Sequence, residues 1–312
     1  MSRKMPGYLY LSLAMMLVGS TVIASKVIAA GLPPFTATAL RFAIAFPFFL
    51  VLMRMSGARW PSLKRRDWFI LVIQAVAGSV GYTTLLISGL RYTSAADAGI
   101  IAGTLPVVSA MIAILFLGER PHRFLLVAIT LAAIGVFSIA YQSNETAGRS
   151  LLGNALIFGA VICEGLFILL NKRLGTEIPP LALSTLMTGI GLAAAVVPAM
   201  VETPWTVEVT AESMWAVTYY ALVPTVGGFL LWYAGSERVS GAEASLFTAL
   251  APVSALLLAA VLLGEHVGLH QMIGIGCVLA AVLGLGFSGG RAGSTSHSPA
   301  QCRSRMAPDS HS

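Results

Sequence analysis

Glu164, Lys26 and Arg41 interrupt apolar runs that are long enough to cross a bilayer, and the search for chemistry in this chain starts with them. Glu164 stands in the run GAVICEGLFILL, nine residues and roughly 13 Å of helix before Arg173. A carboxylate in hydrocarbon is costly, so it must face a protein interior or a wet cavity. It is there either as a proton-coupling or cation-binding group, or as a buried acid hydrogen-bonded to a neighbouring helix. Lys26 and Arg41 bracket the turn at Pro33-Pro34. Long basic side chains at such depths either snorkel to the surface or stay inside. Inside, they would form a positive site for a substrate carboxylate, or a gate.

Around these charges, Ser20, Gln74, Tyr82, Thr104, Phe167, Asn171, Tyr220, Trp232 and Thr248 supply polar and aromatic groups for a cavity lining. Aromatics near the ends of runs fit an interfacial belt equally well. No GxxxxGK[ST] sequence, HExxH sequence or Ser/His/Asp constellation is present, so the chain does not read as an enzyme or an ATP-driven machine. Cys163, Cys277 and Cys302 have no disulfide or metal-binding spacing, and no cofactor is implied.

The elements that must position these groups are membrane helices. The 312 residues are 57% hydrophobic and 10% charged, with a mean hydropathy of +0.84. A soluble domain carries about 25% charged residues. Ten apolar runs are long enough to span: about 8–30, 35–53, 68–89, 94–117, 124–141, 151–170, 180–200, 213–235, 242–263 and 268–288. With the N-terminus inside, fifteen of the nineteen Lys and Arg fall on the inner side, while Arg91 and Arg149 fall in outer loops. The net charge of +6 is therefore a topology signal and not a nucleic-acid patch.

The chain also repeats itself. A shift of 146 residues superposes Gly19 on Gly165, Lys26 on Lys172, Pro33-Pro34 on Pro179-Pro180, Asp97 on Glu243, Pro106-Val107 on Pro252-Val253, and Leu117-Gly118-Glu119 on Leu263-Gly264-Glu265. Matches of Pro, Lys and Glu in one register mean duplication. Five spans per copy is odd, so the copies are inverted. The expected architecture is an all-α integral membrane protein of ten transmembrane helices in two inverted five-helix repeats, with both termini cytoplasmic. The repeats cover 5–142 and 151–288, an outer linker 143–150 joins them, and 289–312 is a disordered cytoplasmic tail. Pro106 and Pro252 are expected to break symmetry-related helices near mid-depth. Lys26–Asp97 and Lys172–Glu243 are expected as symmetry-related gate pairs at opposite ends. Glu119 and Glu265 are expected at the start of the helix that follows each Leu-Gly-Glu turn.

The stretch from Ser94-Ala95-Ala96 through Pro106-Val107 to Leu117-Gly118-Glu119-Arg120, with its copy from Ser240 to Leu263-Gly264-Glu265, resembles the EamA-type unit of the drug/metabolite transporter superfamily. Gly19-Ser20 and Asn171-Lys172-Arg173-Leu174 resemble that family too, and the resemblance covers about 8–288. It implies a central cavity and a secondary transporter in a bacterial inner membrane, which exports amino acids or related metabolites by alternating access. Efflux of toxic amphiphiles or energy-independent exchange in the same fold is the alternative. A membrane sensor or assembly subunit without a transport cycle is the alternative of another class. The implied partners are a small-molecule substrate, the lipid bilayer and coupling protons. The family commonly has Trp just before the Gly of the first and sixth spans, and this chain has Val18 and Glu164 there.

Overall fold

The computed structural model describes residues 5–117, 127, 130–131, 134, 151–175, 178–203, 205, 209–236, 238, 247, 250–277 and 279–280. Among them every regular element is a helix. Helix α1 covers Met5–Gly31 and α2 covers Pro34–Met55. The third span joins α3 (Arg65–Ile73), a π-helical segment Gln74–Gly81 and α4 (Tyr82–Leu90). Then come α5 (Ala95–Ala102), α6 (Leu105–Leu117), α7 (Leu151–Lys172) and α8 (Pro180–Val201). The eighth span repeats the third: α9 (Ala211–Tyr220), a π-helical segment Ala221–Gly227 and α10 (Gly228–Ser236). Helix α11 covers Leu250–Leu262.

Six of these helical units are long and apolar enough to cross a membrane, or seven if the bent pair α5–α6 counts as one span. Large apolar side chains face outward on them, such as Val51, Phe69 and Val197. A helix that is apolar on every side fits lipid outside and protein inside. The linker and the tail lie outside the described residues, as do most of the fifth run and the end of the tenth.

The 146-residue register governs the fold as well as the letters. Helices α2 and α8 begin and end at equivalent positions, Pro34 with Pro180 and Met55 with Val201. Proline at the first helical position sets both starts, since its missing N–H would be unpaired there anyway. The two helices pack antiparallel: Gly191 lies against Phe42, and Gly189 against Phe46. Gly19 lets α1 approach Ser254 and Ala251 of α11, and its counterpart Gly165 lets α7 approach Ile112 of α6. A side chain at Gly19 would run into the α11 backbone, whereas one at Gly165 would displace the tip of Ile112.

The helical path bends just before Pro106. Helix α5 stops at Ala102, Gly103 and Thr104 form a turn, and the axis changes by 42° into the following helix. Proline cannot donate to the ladder, so the break falls just before it. Pro252 is buried in the first turn of α11, and the residues leading into it lie outside the described residues.

One expectation is corrected. Glu265 does not cap the helix that follows it. Its carboxylate accepts from the backbone N–H groups of Ala95 (2.9 Å) and Ala96 (2.8 Å), at the start of α5 in the other repeat. Its own turn does end α11 as expected, with Gly264 in the left-handed region at φ 65°. Glu119 lies outside the described residues.

Candidate functional site

A cavity of about 450 Å³ lies between α1, α2, α7, α8 and the third and eighth spans. That size suits one small molecule. Its wall is built from equivalent positions of both repeats: Val18 and Glu164, Thr21 and Phe167, Arg41 and Met187, Phe42 and Thr188, Gly78 and Pro224, Ser79 and Thr225. The cavity therefore sits at the interface of the two copies, around the axis that relates them. Both π-helical segments contribute to it. Helix widening of this kind recurs at functional sites. Pro224 cannot donate to the carbonyl of Tyr220, and the Thr225 hydroxyl donates to that carbonyl instead, at 2.8 Å. In the other copy, Gly78 lacks the side chain that would overlap Phe167.

Of the charges expected to do chemistry, Arg41 and Glu164 reach this cavity together. Arg41 does not snorkel. It is 8% exposed, and its guanidinium carbon lies 4.4 Å from the Phe42 ring centroid and 4.6 Å from that of Tyr220. Its Nε has no hydrogen-bond partner. Glu164 is close enough for its charge to be felt by Arg41 and Tyr82. Tyr82, Phe167 and Trp232 line the wall as expected. The other four tryptophans, Trp60, Trp68, Trp205 and Trp215, are exposed, as an interfacial belt requires.

The remaining candidates lie elsewhere. Lys26 donates to the carbonyls of Leu90 (2.7 Å) and Thr93 (2.6 Å), where the third span ends. Asp97 accepts from the Gln271 side chain at 2.9 Å, and its charge lies within reach of Lys26. Gln74 is buried behind the wall and donates to the Phe167 carbonyl at 3.2 Å. The Ser20 hydroxyl donates to the Leu17 carbonyl and shares a hydrogen bond with the Tyr219 hydroxyl. Thr104 donates to the Ile101 carbonyl at the bend. Glu243, Thr248 and the side chains of Asn171, Lys172 and Pro106 lie outside the described residues.

The cavity is not centred along the bundle. It reaches Leu183, three residues into α8, and Tyr233, three residues before the end of α10. At the other end it stops at Arg41, seven residues or roughly 10 Å into α2, and at Tyr220, nine residues after the start of α9. The end it approaches is the basic one, with Arg54, Lys64, Arg65 and Arg66. Hydrogen bonds between the repeats cross the opposite end. Glu202 accepts from the N–H groups of Phe35 and Thr36 at the start of α2, and the Ser213 hydroxyl donates to the Val27 carbonyl. Glu265 joins α5 there as well.

The pattern of the EamA-like transporter family matches residues 5–141 and again 151–287. The chain belongs to this family. The uncharacterized transporter YetK of Bacillus subtilis is 34% identical over 285 residues, 90% of this chain and 86% of that protein. The uncharacterized transporter YyaM of the same organism is 25% identical over 270 residues, 85% of this chain and 88% of that one. A probable terminal-alkyne amino-acid exporter of Streptantibioticus cattleyicolor is 28% identical over 214 residues, 67% of this chain and 69% of it. One solved crystal structure shares the fold with a TM-score of 0.62 at 20% identity, covering 93% of this chain and 98% of that one.

An EamA-like transporter is a multi-pass membrane protein, and its relatives are transporters. In this one, the groups that reasoning from single residues missed include Phe42 and the hydroxyls of Thr21, Ser79, Thr188 and Thr225. The 146 register contained the signal: Phe42 pairs with Thr188, Ser79 with Thr225, and Thr21 with Phe167.

Proposed function

We propose that this chain is a secondary transporter that exports amino acids or related small metabolites across a bacterial inner membrane by alternating access. The observation that carries the reading is the cavity, lined by equivalent residues of both repeats and closed towards one end by hydrogen bonds between them. In a protein built from two copies, moving one against the other exposes such a site to each side in turn. The proposed topology has ten spans in two inverted repeats, 5–142 and 151–288, joined by an outer linker 143–150, with 289–312 a cytoplasmic tail. In that frame the basic end is cytoplasmic, and the cavity approaches the side from which an exporter loads. The amino-acid exporter among the relatives supports the substrate class. Glu164 is the group proposed to take up a coupling proton or the cationic part of the substrate.

The test is flux in proteoliposomes. Saturable counterflow of a labelled amino acid, abolished by excess unlabelled substrate, is the expected result. Absence of counterflow across amino acids, nucleosides and cationic drugs would overturn the reading. Counterflow of the cationic drugs alone would leave a transporter but replace the substrate class with toxic amphiphiles.

A further inference from the structure

We infer that Arg41 and Glu164 form a two-point clamp for a zwitterion, with the ligand's carboxylate on Arg41, its ammonium on Glu164 and a bulky apolar side chain along the aromatic wall. The inference rests on the proposal that this cavity is the substrate site.

Four observations carry it. First, Arg41 is more than nine-tenths buried at the cavity wall and its Nε is unpartnered. A buried donor without an acceptor is costly, so it calls for a ligand that supplies one. Second, the Phe42 and Tyr220 rings lie against the guanidinium and supply no carboxylate to its N–H groups. A guanidinium matches a carboxylate in two parallel hydrogen bonds. Third, the positions equivalent to Arg41 and Glu164 are Met187 and Val18, which also line the cavity. Each repeat thus adds one charge of opposite sign where its copy is apolar, so the charges are not a by-product of duplication. Fourth, the wall beyond them is largely apolar, with Met15, Phe167, Leu183, Phe229 and Trp232.

These features discriminate by charge pattern. A lone cation would leave Arg41 buried without an anion, and a lone anion would leave Glu164 without a cation. Removing one partner of a buried, hydrogen-bonded charge pair costs at least about thirtyfold in affinity. A zwitterion with both charges on one carbon satisfies both groups and leaves its side chain to the rings.

The experiment compares labelled phenylalanine, its methyl ester and N-acetylphenylalanine in proteoliposome counterflow. The expected result is transport of phenylalanine at least about tenfold faster than of either derivative, because each derivative lacks one of the two charges. In Arg41→Met the advantage over the ester should vanish, and in Glu164→Gln the advantage over the N-acetyl form should vanish. Arg41→Lys keeps the charge but loses the bidentate edge, and should fall between wild type and Arg41→Met. Equal transport of all three probes by the wild type would overturn the clamp while leaving the transporter reading intact. If no probe is moved, binding decides. A rise in melting temperature of detergent-solubilised wild type with phenylalanine, absent with both derivatives and in Arg41→Met, supports the clamp. An equal rise with all three, or none, overturns it. Size-exclusion profiles matching wild type are required of each variant scored.

Discussion

Gly78 and Lys26 each act through contacts outside the chemistry itself. A side chain at Gly78 would overlap Phe167, so Gly78→Ala must push that ring into the cavity or spread the two helices. At Gly81, by contrast, the nearest atoms to an added Cβ are the Cys163 sulfur and the Val76 carbonyl oxygen at 3.4 Å, which is ordinary contact. Gly78→Ala is expected to lower counterflow at least about tenfold, since small misplacements at a binding site are costly. Gly81→Ala is expected to stay within about twofold of wild type, and equal losses would show that the ring's position is irrelevant. Lys26 is held by two backbone carbonyls at the end of the third span, where a cation suits the helix terminus. Asp97 in turn accepts from Gln271. Exchanging the charges in Lys26→Asp/Asp97→Lys therefore should not restore transport above either single variant, because a carboxylate at 26 cannot donate to the carbonyls. Recovery in the double variant would establish the direct ion pair expected from the sequence.

At the scale of elements, two devices separate what the sequence could reveal from what it could not. The spans, their duplication and the bend before Pro106 are written in composition and spacing, which survive without knowing where side chains point. The two π-helical segments are not, since the proline that interrupts one ladder, Pro224, has only Gly78 as its counterpart in the other. Pro224 and the Thr225 hydroxyl on the freed Tyr220 carbonyl act within one helix, whereas the approach of Phe167 to Gly78 is a tertiary fact. Pro224→Ala restores the missing donor and should let the eighth span close into regular α-helix, turning Thr225 away from the wall. The expected outcome is a stable protein whose counterflow falls severalfold, and full activity would show the widening to be incidental. The carboxylate caps were likewise half legible. Acid after a helix-ending glycine was readable, whereas its target across the repeats was not, because sequence spacing gives neighbours only along one helix. Glu265→Gln keeps the side chain's size but weakens the two bonds to Ala95 and Ala96. A loss of about 1 kcal/mol is expected from the weakened cap, seen as a lower melting temperature in detergent.

At the scale of the whole molecule, Lys26, Glu202, Ser213 and Glu265 tie helix ends together at one end of the bundle, and the cavity stops short of it. At the basic end the wall reaches Ser184 and Tyr233, within one turn of the helix ends. The copies that line the cavity meet at α2 and α8, which pack antiparallel, so the proposed closing of one end and opening of the other would slide or tilt these helices on the Gly189–Phe46 and Gly191–Phe42 contacts. Accessibility measures this directly. In a chain with Cys163, Cys277 and Cys302 replaced by serine, Leu183→Cys, half-buried on the cavity wall, should react with a membrane-impermeant maleimide from the cytoplasmic face. Ser25→Cys, fully buried near the tied end, should resist labelling from both faces. Removing the tie with Glu202→Ala should slow labelling at residue 183 and expose residue 25 from the outer face, as the equilibrium shifts to the other opening. Differential stabilisation of the two states by about 1.4 kcal/mol changes their ratio tenfold, so even one lost cap is enough to be seen. Labelling of residue 183 from the outer face in the untied and tied proteins alike would reverse the assignment of the ends, and with it the direction proposed for transport.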